Sequence, residues 1–91
     1  MTREIASTDA QTAILDLLQA RGEGKTICPS EAARALAKAR NAPDDWREDM
    51  YNAHAAARKL AGLGAVRLLQ GGEEVEDPVG AYRLALPPAE Q

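Results

Sequence analysis

Glycine and proline punctuate this chain at intervals that leave little freedom in how it can fold. Gly22 and Gly24, Pro29, Pro43, Gly62 and Gly64, Gly71 and Gly72, and Pro87 and Pro88 cut its 91 residues into short segments. Glycine ends a helix by taking a left-handed backbone, and proline fits only the first helical turn. Each of these residues therefore marks a boundary, and the segments between them can be read one at a time.

The first segment, "STDAQTAILDLLQARGEG", has Thr8 and Gln11 at the spacing of a capping box, which predicts a helix beginning at Thr8. Ile14, Leu17 and Leu18, with Ala10 and Ala13, lie on one face at helical spacing, while Asp16 and Gln19 look outward. Gly22 and Gly24 stop it. Lys25–Ile27 is long enough for a minimal strand only. In "TICPSEAARAL", Pro29 opens a second helix. Either Cys28 or Ser30 can be its N-cap: Cys28 places Glu31 at N3 in a capping-box pattern, and Ser30 starts the helix two residues later. Ala33, Leu36 and Ala37 form its apolar stripe, with Arg34 and Lys38 off it.

Pro43 followed by Asp44 and Asp45 predicts the start of a third helix, because acidic side chains suit the positive end of the helix dipole. Trp46, Met50, Ala53, Ala57 and Leu60 recur at steps of three and four and are expected to face the core. Arg47, Tyr51, His54 and Arg58 repeat with similar steps on the neighbouring face. Beyond Gly62 and Gly64, Val66 and Leu68 alternate with Arg67 and Leu69 in a strand that ends in a Gly-Gly turn. The acidic stretch "EEVEDPV" leads into a last strand in which Tyr82, Leu84 and Leu86 alternate with Ala81, Arg83 and Ala85. This describes a β-hairpin with a long acidic tip.

A chain of this length makes one domain with one core. The apolar fraction is 45%, but alanine supplies 19 residues and there is no Phe, so ten leucines and close helix contacts must carry the packing. Trp46, Leu17, Leu36, Leu60, Val66 and Leu84 are the expected core. Net charge is −3, with 11 basic and 14 acidic side chains, which offers no bulk attraction to phosphate or anionic lipid. The single Cys excludes an internal disulfide, no apolar run approaches membrane-spanning length, and the start lacks a signal peptide's apolar region, so a cytoplasmic protein is expected.

Helix, short strand, helix, helix and C-terminal hairpin is the order of a winged helix-turn-helix. The expected fold is therefore a helix-rich α+β domain over residues 8–86, with residues 1–7 flexible and 87–91 a disordered tail. The blocks "CPSEAARAL", the Trp46-Arg47 pair after proline, "AAARKLAGLG", "QGGEEVED" and "GAYRL" resemble the uncharacterised bacterial family designated domain of unknown function 3253. The resemblance spans about Ala10–Leu86 and implies a small winged helix. It matches Cys28, Pro29, Ser30, Glu31, Arg34, Trp46 and Arg47 to the family's motif and carries no catalytic residue. The acidic run Glu73–Asp77 is a departure from the family's pattern and weighs against nucleic-acid contact by the wing.

Two functions follow from these residues. The first is nucleic-acid binding, or a transcription-associated role, with weak intrinsic affinity for duplex DNA. The third helix would lead, through Arg47, Tyr51, His54 and Arg58, assisted by Arg34 and Lys38 from the second helix and by Arg67 from the hairpin. Against it, residues 44–86 hold five basic and eight acidic side chains, so the half that should meet DNA is the more acidic. The alternative is a protein-interaction or assembly module with an acidic wing. No enzyme is expected: His54 stands alone, Cys28 lacks a partner His or second Cys, and "QGGEEV" is not a phosphate-cradling loop. No cofactor, metal, membrane or small-molecule effector site is expected, and Cys28 is read as structural.

Overall fold

A computed structural model describes residues 2–88, with side chains from residue 10 onward. It is a helix-rich α+β domain with a small antiparallel sheet. Helix α1 (Thr2–Arg21) is followed by β1 (Thr26–Ile27), α2 (Pro29–Ala39), a 3-10 segment (Pro43–Asp49), α3 (Met50–Gly62), β2 (Arg67–Gln70), β3 (Glu73–Glu74) and β4 (Arg83–Ala85).

Helix α1 ends where Gly22 and Gly24, both at positive φ, predict its end. Its start differs from the expected Thr8. Helix begins at Thr2, so residues 2–7 of the stretch expected to be flexible are the first turns of α1, and Met1 lies outside the described residues. No Gly or Pro interrupts Thr2–Arg21, and without a breaker a local capping pattern does not start a helix anew. Of the expected tail, Pro87 and Pro88 carry no regular structure, and 89–91 lie outside the described residues.

Cys28 is the N-cap of α2, with Pro29 at the first helical position. The Glu31 carboxylate accepts the Cys28 N–H at 3.0 Å, closing one half of a capping box. The third helix is divided. Pro43–Asp49 winds as 3-10, Asp45 leaves helical geometry (φ −101°, ψ 24°), and the α-helix begins only at Met50. The strain enters one turn earlier, where Asn41 takes φ 63° so that α2 can end and the chain reverse into Pro43.

The sheet order is β1-β4-β2-β3, every neighbouring pair antiparallel. Its register lines up Ile27, Leu84 and Leu68 across three strands, and all three are buried beneath the helices. They join Ala10, Ile14 and Leu18 of α1, Ala32 and Ala33 of α2, and Ala53, Ala56, Ala57 and Leu60 of α3 in one core. The alanines let the helices approach closely, which is how a chain without Phe fills its interior. Of the expected core, Leu60, Val66 and Leu84 are buried, while Leu17, Leu36 and Trp46 are only half-buried against it. Leu17 and Leu36 line an open groove between α1, α2 and the 3-10 segment, so one side of each meets solvent.

The hairpin also differs from expectation. Gly71 (φ 62°) and Gly72 (φ 85°) form a two-residue turn, and Glu73–Glu74 return as a third strand paired with Leu69 and Gln70. The long connection is therefore residues 75–82. It is pinned near its end by Gln70, whose Nε2 donates to the Val79 carbonyl at 2.6 Å and the Ala81 carbonyl at 2.9 Å.

Candidate nucleic-acid interface

Arg34 and Arg47 meet at Trp46. The Arg34 guanidinium lies 4.0 Å from the centre of the indole and that of Arg47 4.5 Å, both within cation–π range. The heavy packing of α2 against the 3-10 segment brings them together: Arg34 comes from the middle of α2, Trp46 and Arg47 from the turn that precedes α3. The indole's buried edge fixes its place, and its electron-rich ring in turn orders two long side chains that would otherwise be free. Among the described residues neither guanidinium has an acidic partner within salt-bridge distance. Lys38, one turn beyond Arg34 on α2, is exposed. Tyr51, in the first turn of α3, is 81% exposed. Arg34, Lys38, Arg47 and Tyr51 thus remain open to a ligand.

The other three expected residues are engaged within the fold. His54 is half-buried, and its Nδ1 shares a 2.6 Å hydrogen bond with the Tyr82 hydroxyl. Burial pushes the Tyr82 hydroxyl above its ordinary pKa, with nearby Arg58 pulling the other way. Arg58 is paired with Asp77 of the long connection. Arg67 donates from Nε to the Leu86 carbonyl at 3.2 Å, bracing the last strand. The stripe Arg47, Tyr51, His54 and Arg58 is therefore divided: its first half is open and its second half is held by residues 77–82.

Two groups of residues were not visible as sites in the sequence. Asp77 and Tyr82 meet α3 from 19 and 28 residues away, and no local pattern encodes such a pairing. The second group gathers at the start of α2. Glu31 pairs with Arg21 at 2.7 Å and lies 4.0 Å from Arg83, and Arg83 donates from Nε to the Thr26 hydroxyl at 2.7 Å. This cluster ties α1, β1, α2 and β4 together. It gives "CPSE" and "GAYRL" a common structural purpose, which their distance in sequence conceals. Cys28 stands beside it, half-buried, its sulfur accepting from the Ser30 hydroxyl at 3.2 Å.

On the far side, Arg40 donates to Asp49 from Nε at 3.2 Å and from Nη2 at 3.0 Å. Asp49 is 8% exposed, and this pairing holds the Arg40 guanidinium above its ordinary pKa. The pair joins the end of α2 to the end of the 3-10 segment and so fixes the angle at which α3 leaves. Among the described residues no group of three or more His, Cys, Asp or Glu is placed to hold a metal ion. No described helix is long and apolar enough to cross a membrane.

The fold and this surface define a small helix-rich α+β domain that carries a cationic and aromatic patch. The chain belongs to the family described as protein of unknown function (DUF3253), whose profile matches residues 7–87. A search of curated proteins finds no match.

Proposed function

We propose that this domain is a winged helix-turn-helix that binds duplex nucleic acid weakly, through the open patch formed by α2, the 3-10 segment and the start of α3. Two features support the winged-helix reading: the succession of elements, and a sheet in which β4 inserts between β1 and β2. Within that architecture the helix after the turn meets the groove. The fold alone does not assign a function, so the reading rests on the site. The observation that carries it is Arg34 and Arg47 ordered on Trp46, without an acidic partner among the described residues, one turn from the exposed Tyr51. Guanidiniums in this state can each take a phosphate oxygen pair, and Tyr51 can donate to phosphate or pack on sugar.

The geometry points to helix-led contact with few phosphates. Glu73, Glu74 and Glu76 are exposed on the hairpin and would meet a phosphate backbone with like charge. Affinity for random duplex should then be no tighter than the ordinary non-specific range of about 10⁻⁴–10⁻⁶ M, with a shallow dependence on salt. The test is titration of a labelled random duplex at low salt. Binding by the native protein, and its loss in Arg34→Glu with Arg47→Glu at unchanged circular dichroism, is the expected result. No binding by the native protein would overturn the reading.

The second reading, a protein-interaction module, is favoured by one observation. Tyr51, Leu63 and Val79 are large apolar side chains that are mostly exposed, and none of them is used by the fold.

A further inference from the structure

Residues four apart on α3, His54 and Arg58, hold the two ends of one segment, residues 77–82. Tyr82 is fastened to His54 at 2.6 Å and Asp77 is paired with Arg58. Between them Pro78 is buried, and Gln70 clamps the carbonyls of Val79 and Ala81. The connection between β3 and β4 therefore does not project into solvent as a free wing tip. It is a strap tied to α3 at both ends, and it engages the second half of the cationic stripe while Arg47 and Tyr51 stay open.

We infer that this strap is an autoinhibitory contact, in which the Asp77 carboxylate occupies the position on Arg58 that a backbone phosphate would take. The inference rests on the nucleic-acid reading proposed above. The two ends of the strap differ in kind. The Tyr82 end is buried and sits beside β4, so it stays when the other end opens. The Asp77 end is a salt bridge between two exposed side chains, 49% and 83% exposed, and such pairs are weak and screened by salt. A polyanion competes with Asp77 for the same guanidinium, and the exposed Asp77 side chain can turn away while buried Pro78 and the Gln70 bonds to Val79 and Ala81 hold the rest of the segment. Asp77 and its neighbours Glu73, Glu74 and Glu76 then lower affinity in two ways: all four by like charge, and Asp77 alone by holding Arg58.

The two contributions are separated by a charge-matched comparison. Asp77→Asn, Glu76→Gln, Arg58→Gln and the double variant Arg58→Gln with Asp77→Asn would be titrated with the same random duplex across a range of low salt concentrations, with thermal melts as the control for folding. Asp77→Asn should tighten binding by about two- to fivefold, the range that an exposed ion pair spans. Its log–log salt slope should change by much less than one, because Arg58 meets the same phosphate once Asp77 is displaced and only a salt-screened competitor is lost. Glu76→Gln, which removes the same charge without freeing Arg58, should gain less. In the Arg58→Gln background, Asp77→Asn should gain no more than Glu76→Gln does. Equal gains for Asp77→Asn and Glu76→Gln, or a full Asp77→Asn gain without Arg58, would overturn the strap while leaving nucleic-acid binding intact. Absence of binding by the native protein and every variant would overturn both.

Discussion

His54 and Tyr82 share a 2.6 Å hydrogen bond that fastens the middle of α3 to the residue before β4. The Tyr82 hydroxyl is buried, and burial raises its pKa because the phenolate would lose its hydration. Above the unfolded pKa of about 10, the unfolded chain releases this proton while the folded chain keeps it. Stability from this group is thus complete below that pH and is lost as pH rises through the folded pKa. Tyr82→Phe should cost about 0.5–1.5 kcal/mol at neutral pH for the lost hydrogen bond. It should also flatten the fall in stability above about pH 10 relative to the native protein. Urea denaturation across that pH range measures both effects.

The core divides by burial. Leu60 is buried between α3 and the sheet, and Leu60→Ala should destabilise by about 2–5 kcal/mol. Leu17 lines the open groove, where water can fill the space its side chain leaves, so Leu17→Ala should cost distinctly less. Urea midpoints at constant m-value compare the two. Equal costs would mean that the groove is closed in solution.

Cys28 serves as a helix cap. It is half-buried, accepts the Ser30 hydroxyl, and its backbone N–H is held by Glu31. Alkylation of the native protein should be much slower than after denaturation. Cys28→Ser, which puts a hydroxyl in place of the thiol at the N-cap, should fold with a loss below about 1 kcal/mol, and Glu31→Ala should cost more because it removes a cap partner and the Arg21 pair together. Native alkylation at the rate of a free thiol would contradict the structural role.

Much of the architecture was legible because its signals are local. Gly22 and Gly24 ended α1 as read, Pro29 marked the start of α2 while only the fold decided for Cys28 over Ser30 as its cap, and Gly71-Gly72 made a hairpin turn. The misreadings came where a local signal competed with a longer-range one. Thr8 and Gln11 have capping-box spacing, but the helix runs through them because nothing before them breaks it. Pro43-Asp44-Asp45 starts a helix as expected, yet Trp46 must pack on α2 and that segment winds as 3-10 before α3 proper. The site was half legible for the same reason. Arg47 and Tyr51 keep the exposure that their helical phase predicts, whereas Arg58 and His54 are claimed by Asp77 and Tyr82, which only the fold brings near.

The most direct test of nucleic-acid binding by the open patch is an amide and indole chemical-shift titration of the folded protein with a random duplex at low salt. The account predicts shifts concentrated at Arg34, Lys38, the Trp46 indole, Arg47 and Tyr51, with weaker and later changes at Arg58 and Asp77 as the strap yields. Shifts confined to the hairpin or the α1–α2 groove, or no shifts at all, would contradict it.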